Sequence, residues 1–285
     1  MQCLYPLKTS ACVRICVVAP SSVAVPSLSV GLFIYYLAEE LVRRRHETVL
    51  FANTRSKPPS GVFHKPVYYT KYDPNVVKMY LEEFRDCDYV LDFSTRSVAK
   101  EWQFLHGRPT VVISPSKPLT RDDCFVKYPD EVKPGVKLED FPLSKERGNY
   151  SVFLGDVGCL GEVKKNVIAV WTQQDDVEQL IRYGIVKKAK LEVRHIFLPH
   201  RWLPVYKVVL SRARASICPY DPVQISISLA LGTPVLGVEP WCDKCGSSEV
   251  ADREWDYEKI RREAEKVIDV SKTADKLLSV AKTCW

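Results

Sequence analysis

No apolar run in the chain approaches the roughly 20 residues that a membrane-spanning helix requires, so hydropathy gives no span. No Gly-x-Gly-x-x-Gly follows the first apolar strand, and no acidic residue stands where a dinucleotide ribose would need it. That argues against a Rossmann dehydrogenase. RNA-recognition, zinc-finger and helix-turn-helix signatures are missing, and the basic residues form no long tract. Nucleic acid is therefore not an expected partner. The apolar stretch from Cys12 to Ala19 is interrupted by Arg14 and has no obvious small-residue cleavage site, so it reads as a first buried strand and not a signal peptide. Only two Met, four Asn and six Gln accompany ten Cys. Thermophile proteins show such depletion, and in hyperthermophiles intracellular disulfides become plausible.

What is present is ordinary for a globular protein: 46% hydrophobic and 27% charged residues. A length of 285 residues suffices for two compact domains of about 130–150 residues each. The net charge is +6, with Arg43, Arg44 and Arg45 consecutive and Arg212 close to Arg214. Most of these read as solvated surface; the sharper reading is weak attraction to anionic lipid or to a phosphorylated ligand. The expected location is the cytoplasm, with peripheral contact at the inner membrane face. The cysteines are scattered, and several read as small core hydrophobes. Cys242 and Cys245 have two residues between them, but no second Cys or His pair with zinc spacing lies nearby in sequence. A loop disulfide is favoured there over a metal or redox site.

Along the chain, apolar patterning alternates between strand and helix. Val13 to Ala19 suits a strand covered on both faces. Val30, Phe33, Ile34, Leu37 and Leu41 recur at helical spacing, and Thr48 to Ala52 forms the next strand, completing a βαβ unit. Helices are predicted at 75–84 and 98–105, with strands at 89–93 and 110–113. A Pro-rich, charged stretch at 119–140 reads as an interdomain linker. A second α/β series begins near Tyr150. It has a strand or helix at 167–171, a helix at 175–183, a strand at 195–198, a helix at 203–213 and a strand at 215–218. A helix from Asp221, a strand at Val235 and amphipathic helices at 256–268 and 272–281 complete it. The domain boundary falls at 135/136, giving domains 1–135 and 136–285.

The stretch Cys218 to Leu236, CPYDPVQISISLALGTPVL, carries the most chemistry. Asp221 can accept from the first free backbone N–H groups of a helix, and Pro222 falls where its missing N–H is harmless. A helix starting there aims the N–H groups of Val223 and Gln224 and a positive dipole end beyond the strand, which suits a phosphate. Ser226 and Ser228 can contact a donor or pack on a sheet.

This stretch resembles the nucleotide-sugar-binding segment of GT-B glycosyltransferases of family four, where "Ala-x-Gly-Thr-Pro-Val" closes the helix. Ala230, Gly232, Thr233, Pro234 and Val235 match. Near the N-terminus, Arg44, His46 and Glu47 resemble the family's "Arg-Gly-His-Glu", with Arg45 in place of Gly. The resemblance implies an α/β fold of two Rossmann-like domains facing across a cleft. It also implies transfer of a sugar from a nucleotide-diphosphate sugar co-substrate to a glycan, lipid or protein acceptor, with retention of configuration and no bound metal or cofactor. Ser29 and Gly31 then stand on the acceptor-side loop. VFLGDVG resembles "Phe-x-Gly-Arg…Lys-Gly", so Asp156 replaces the Arg, and Lys164 and Lys165 supply the cation for the diphosphate. The family's two Glu fall on Pro219 and Ile227. Asp221 is the nearest substitute for the first, Asp92 is the polar candidate on the strand that carries a His in many members, and Glu249 is an acidic candidate for the donor ribose. The alternative is a catalytically degenerate protein of this fold that binds a nucleotide, a glycan or a partner.

Overall fold

The computed structural model describes residues 12–20, 23, 29–67, 82–94, 108–115, 124–153, 167–171, 193–197, 203–219, 221–237, 246–247 and 254–284. The helices expected at 98–105 and 175–183, and most of that at 75–84, lie outside them.

The first sheet is built from β1 (Arg14–Val18), β2 (Glu47–Asn53), β3 (Phe63–Val67), β4 (Tyr89–Asp92), β5 (Thr110–Ser114) and β6 (Phe125–Lys127), with α1 (Val30–Arg43) joining β1 to β2. Its spatial order is β3-β2-β1-β4-β5-β6. All pairings are parallel, with Cys16 of β1 opposite Val49 of β2 and Val90 of β4. A central parallel strand is covered on both faces, which is why β1 reads as a continuous apolar run: Ile15, Cys16, Val17 and Val18 are all buried. The rings of Phe51 and Phe84 pack with centroids 4.9 Å apart against one side. Strand β6 lies inside the stretch that reads as linker; it is only three residues long and pairs with β5 through Val112 and Phe125.

The second sheet comprises β7 (Ser151–Phe153), β8 (Val167–Trp171), β9 (Val193–Phe197), β10 (Ser216–Ile217), β11 (Val235–Leu236) and β12 (Gly246–Ser247), in the order β12-β11-β10-β7-β8-β9. These too pair in parallel, and 167–171 is resolved as strand by its pairing with β7 and β9. The described helices after β9 are α2 (Leu203–Ser211), α3 (Pro222–Ala230), α4 (Tyr257–Ile268) and α5 (Val270–Thr283). Helix α4 buries Ile260, Ala264 and Ile268, a stripe at four-residue spacing. Asp256 caps it by accepting from the Lys259 N–H at 2.9 Å.

The chain divides into two compact units. Residues 34–133 and 273–285, with β1, form the first; residues 134–272 form most of the second. Within the first unit, α5 is held by several unlike contacts. Arg44 bridges Asp275 and the buried Glu40, Lys276 donates to the Glu131 carbonyl, and Cys124 is disulfide-bonded to Cys284. Burial alone would raise the Glu40 pKa, but hydrogen bonds from Arg43 and Arg44 outweigh it and hold the carboxyl below its usual range. A second disulfide joins Cys16 to Cys87 beneath the first sheet. Cys12 and Cys218 are also disulfide-bonded, so none of the described cysteines is free.

Within the second unit, the turn after α3 depends on Arg147. Its guanidinium donates to the carbonyls of Ala213 (3.2 Å) and Leu231 (2.9 Å) and to the Thr233 hydroxyl (2.9 Å). It also stacks 4.0 Å above the Tyr257 ring. Burial presses its pKa down, opposed by Tyr257 and Tyr150. At the centre of this cage Gly232 has φ +71°, and a Cβ there would stand 2.7 Å from the Tyr257 carbonyl oxygen and 2.5 Å from the Leu143 side chain. Both the backbone angle and the space demand glycine.

Two measurements test these supports. Replacing Cys124 and Cys284 together by Ser opens a loop with a sequence separation of 160 residues. Chain-entropy arguments give a loss of about 3–5 kcal/mol, to be read as a lower urea midpoint under non-reducing conditions. An unchanged midpoint would mean that the bond does not constrain the unfolded chain. Gly232→Ala is expected to lose more than about 2 kcal/mol; a loss below half of that would show that the turn relaxes freely.

Candidate functional site

In an open parallel sheet, connections on either side of a switch point leave the carboxyl ends of two adjacent strands in opposite directions, opening a crevice where ligands bind. The strand orders place one such point in each sheet, between β1 and β4 and between β10 and β7.

At the first, Asp92 ends β4 in register with Val18 of β1. It is fully buried, and its carboxylate accepts from the Ser94 N–H (2.8 Å) and hydroxyl (2.6 Å). These bonds shape the turn that leaves β4. The connection from β1 enters α1 at Ser29, whose carbonyl accepts from the Leu32 N–H at 2.8 Å. Gly31 lies buried in the first turn of that helix.

At the second, β10 is followed by Cys218, which is buried and left-handed at φ +47°. A non-glycine residue in that region turns the chain sharply at some steric expense. Asp221 follows and caps α3, accepting from the Val223 N–H at 2.8 Å, with Pro222 in the first helical position. The Gln224 N–H bonds the Asp221 carbonyl at 2.9 Å. Both backbone donors anticipated for a phosphate thus have partners within the helix start, and the positive end of the helix dipole remains directed at the crevice. Ser226 is fully buried and its hydroxyl donates to the Pro134 carbonyl at 2.6 Å. Ser228 donates to the Gln224 carbonyl at 2.8 Å and lies 3.0 Å from the Ser216 hydroxyl on β10. These contacts pack Ser228 on the sheet and tie Ser226 to the segment at Pro134.

Asp221, Val223, Gln224 and Ser226 are therefore gathered on one helix start. Asp156, Lys164, Lys165, Glu249 and the pair Cys242 and Cys245 lie outside the described residues. Sequence reasoning missed Arg147, which holds the far end of α3. A single Arg between Glu146 and Gly148 carries no pattern that would reveal it. It also weighed Gln224 for its backbone alone. Gln224 is 1% exposed, and among the described residues neither Nε2 nor Oε1 of its amide has a hydrogen-bond partner.

No family model matches the sequence, and no curated protein matches it. Solved structures do resemble its fold. AviGT4, a glycosyltransferase involved in avilamycin A biosynthesis, superposes with a TM-score of 0.63 at 15% identity, covering 95% of this chain and 98% of that one. Anabaena HepE in complex with UDP and glucose gives 0.63 at 11% identity, covering 95% and 100%. A glycosyltransferase from Rickettsia africae gives 0.64 at 11% identity, covering 96% and 99%. The chain thus has the α/β fold of GT-B glycosyltransferases, with two Rossmann-like units each built on a parallel sheet.

Proposed function

We propose that this protein is a glycosyltransferase that takes a sugar from a nucleoside-diphosphate sugar bound at the start of α3. The observation that carries the reading is a capped helix start at the switch point of the second sheet, in a fold shared with glycosyltransferases. Glycosyl transfer needs a group that stabilises the departing diphosphate as charge builds, and an acceptor held close to the anomeric carbon. The positive end of α3 supplies part of the first requirement, and Lys164 and Lys165 complete it in this reading without a bound metal. Asp156 and Glu249 stand on the donor side. Ser29 and Gly31 belong to the acceptor side, where a glycan, lipid or protein hydroxyl is received. Asp221 fixes the helix start that faces the diphosphate, and Asp92 is the second acidic candidate near a reacting group. Because HepE is seen with UDP and with UDP-glucose, uridine donors are the first to test.

A second reading is favoured by one observation. The Asp221 carboxylate is engaged in capping, and Pro219 and Ile227 offer no acid. A protein that binds the nucleotide sugar without turning it over would look the same at α3.

Release of free nucleoside diphosphate from UDP-, GDP- and ADP-sugars separates the two. The transferase predicts donor-dependent release that falls at least tenfold when Lys164 and Lys165 are changed together to Ala. Binding without release, with every acceptor class tried, selects the second reading; binding of no nucleotide overturns both. Asp221→Ala removes a helix cap and is expected to cost about 1 kcal/mol of stability. In the transferase it also lowers turnover by more than that loss accounts for, measured well below the melting temperature.

A further inference from the structure

Gln224 is the third residue of a nine-residue helix, and among the described residues neither atom of its amide has a hydrogen-bond partner. Ser228, one turn later, lies against Ser216 on β10. Residues four apart share a helix face, so Gln224 lies on the same sheet-facing side, one turn nearer the N-terminus. Strand β10 ends at Ile217, so this position is at or just past the carboxyl end of the strand, beside the crevice. Side chains on a helix lean toward its N-terminus, which directs the buried amide toward the carboxyl end of β10. A buried polar group without a partner opposes folding, and an apolar side chain of the same size would avoid that penalty. The penalty disappears when a ligand supplies the missing bonds.

We infer that the Gln224 side-chain amide is a specificity determinant that reads a vicinal pair of hydroxyls carried beside a diphosphate, an assignment that rests on the donor site proposed above. The amide presents one acceptor and one two-hydrogen donor on a rigid planar group. Adjacent hydroxyls, each able to donate and to accept, match that arrangement, and a neutral amide adds no negative charge next to the diphosphate. The hydroxyls come either from the ribose or from the transferred sugar.

The test titrates the full-length wild type, Gln224→Met and Gln224→Leu with UDP, 2′-deoxy-UDP and UDP-glucose by calorimetry, and melts each protein without ligand. Both variants are expected to melt higher than wild type, because the orphaned amide is gone, and to bind UDP-glucose about tenfold or more weakly. If the ribose supplies the diol, UDP weakens equally while 2′-deoxy-UDP, which lacks the pair, is nearly unaffected. If the sugar supplies it, only UDP-glucose weakens. Equal losses for all three ligands, or no loss in a wild type that binds, would overturn the assignment and leave the donor site standing. A wild type that binds none of the three removes both. Failure of both variants to fold would mean that the amide serves the core, and the assignment falls.

Discussion

Parallel pairing is the constraint on which the rest of this protein depends. Each return from the carboxyl end of one strand to the amino end of its neighbour must cross a face of the sheet. All carboxyl ends therefore gather along one edge, and both faces are covered. With the strand order reversing once in each sheet, two chain segments must diverge at that edge. The turn into α3 and the turn after β4 lie there for that reason, whatever ligand they meet. Their side chains supply chemistry to a place that topology has already opened.

The helix at that edge is fixed at both ends by charge. Asp221 satisfies a free N–H at its start, and Arg147 collects the carbonyl oxygen just past its end. No carboxylate among the described residues pairs with Arg147. Its guanidinium is balanced instead by carbonyl and hydroxyl oxygens, by the Tyr257 ring, and by the negative end of the helix. The Gly-Thr-Pro sequence makes sense in that setting. Gly232 permits the left-handed turn and leaves room for the cage, and Thr233 offers its hydroxyl as one wall, donating onward to the Leu210 carbonyl.

Much of this was legible in the sequence where one physical signal dominated. The strands β1, β2, β4 and β5 announce themselves as buried apolar runs, and α1 and α4 by their stripes. The cap at Asp221 follows from Asp-Pro before an apolar segment. Strand β3 was not legible: Phe63–Val67 buries only Val67, carries Pro66 and survives as an edge strand, where a missing N–H is tolerated. Strand β6 was hidden by its length within a Pro-rich stretch, and 167–171 was ambiguous because a short apolar run suits either element. At the site, a sequence shows which residues are polar but not which lack partners, so Gln224 mattered first for its backbone. The pairing of Cys124 with Cys284 was equally hidden, since scattered cysteines do not declare their connectivity.

That pairing has a consequence for how the chain responds to being cut. The bond closes a covalent ring that begins in β6's neighbourhood and runs through every residue from 134 to 272 before returning at the C-terminus. A protease that cleaves once anywhere in that ring produces two polypeptides that stay joined. The nicked molecule keeps its mass until a reductant is added, and the two pieces remain at each other's effective concentration, able to re-form the same sheets.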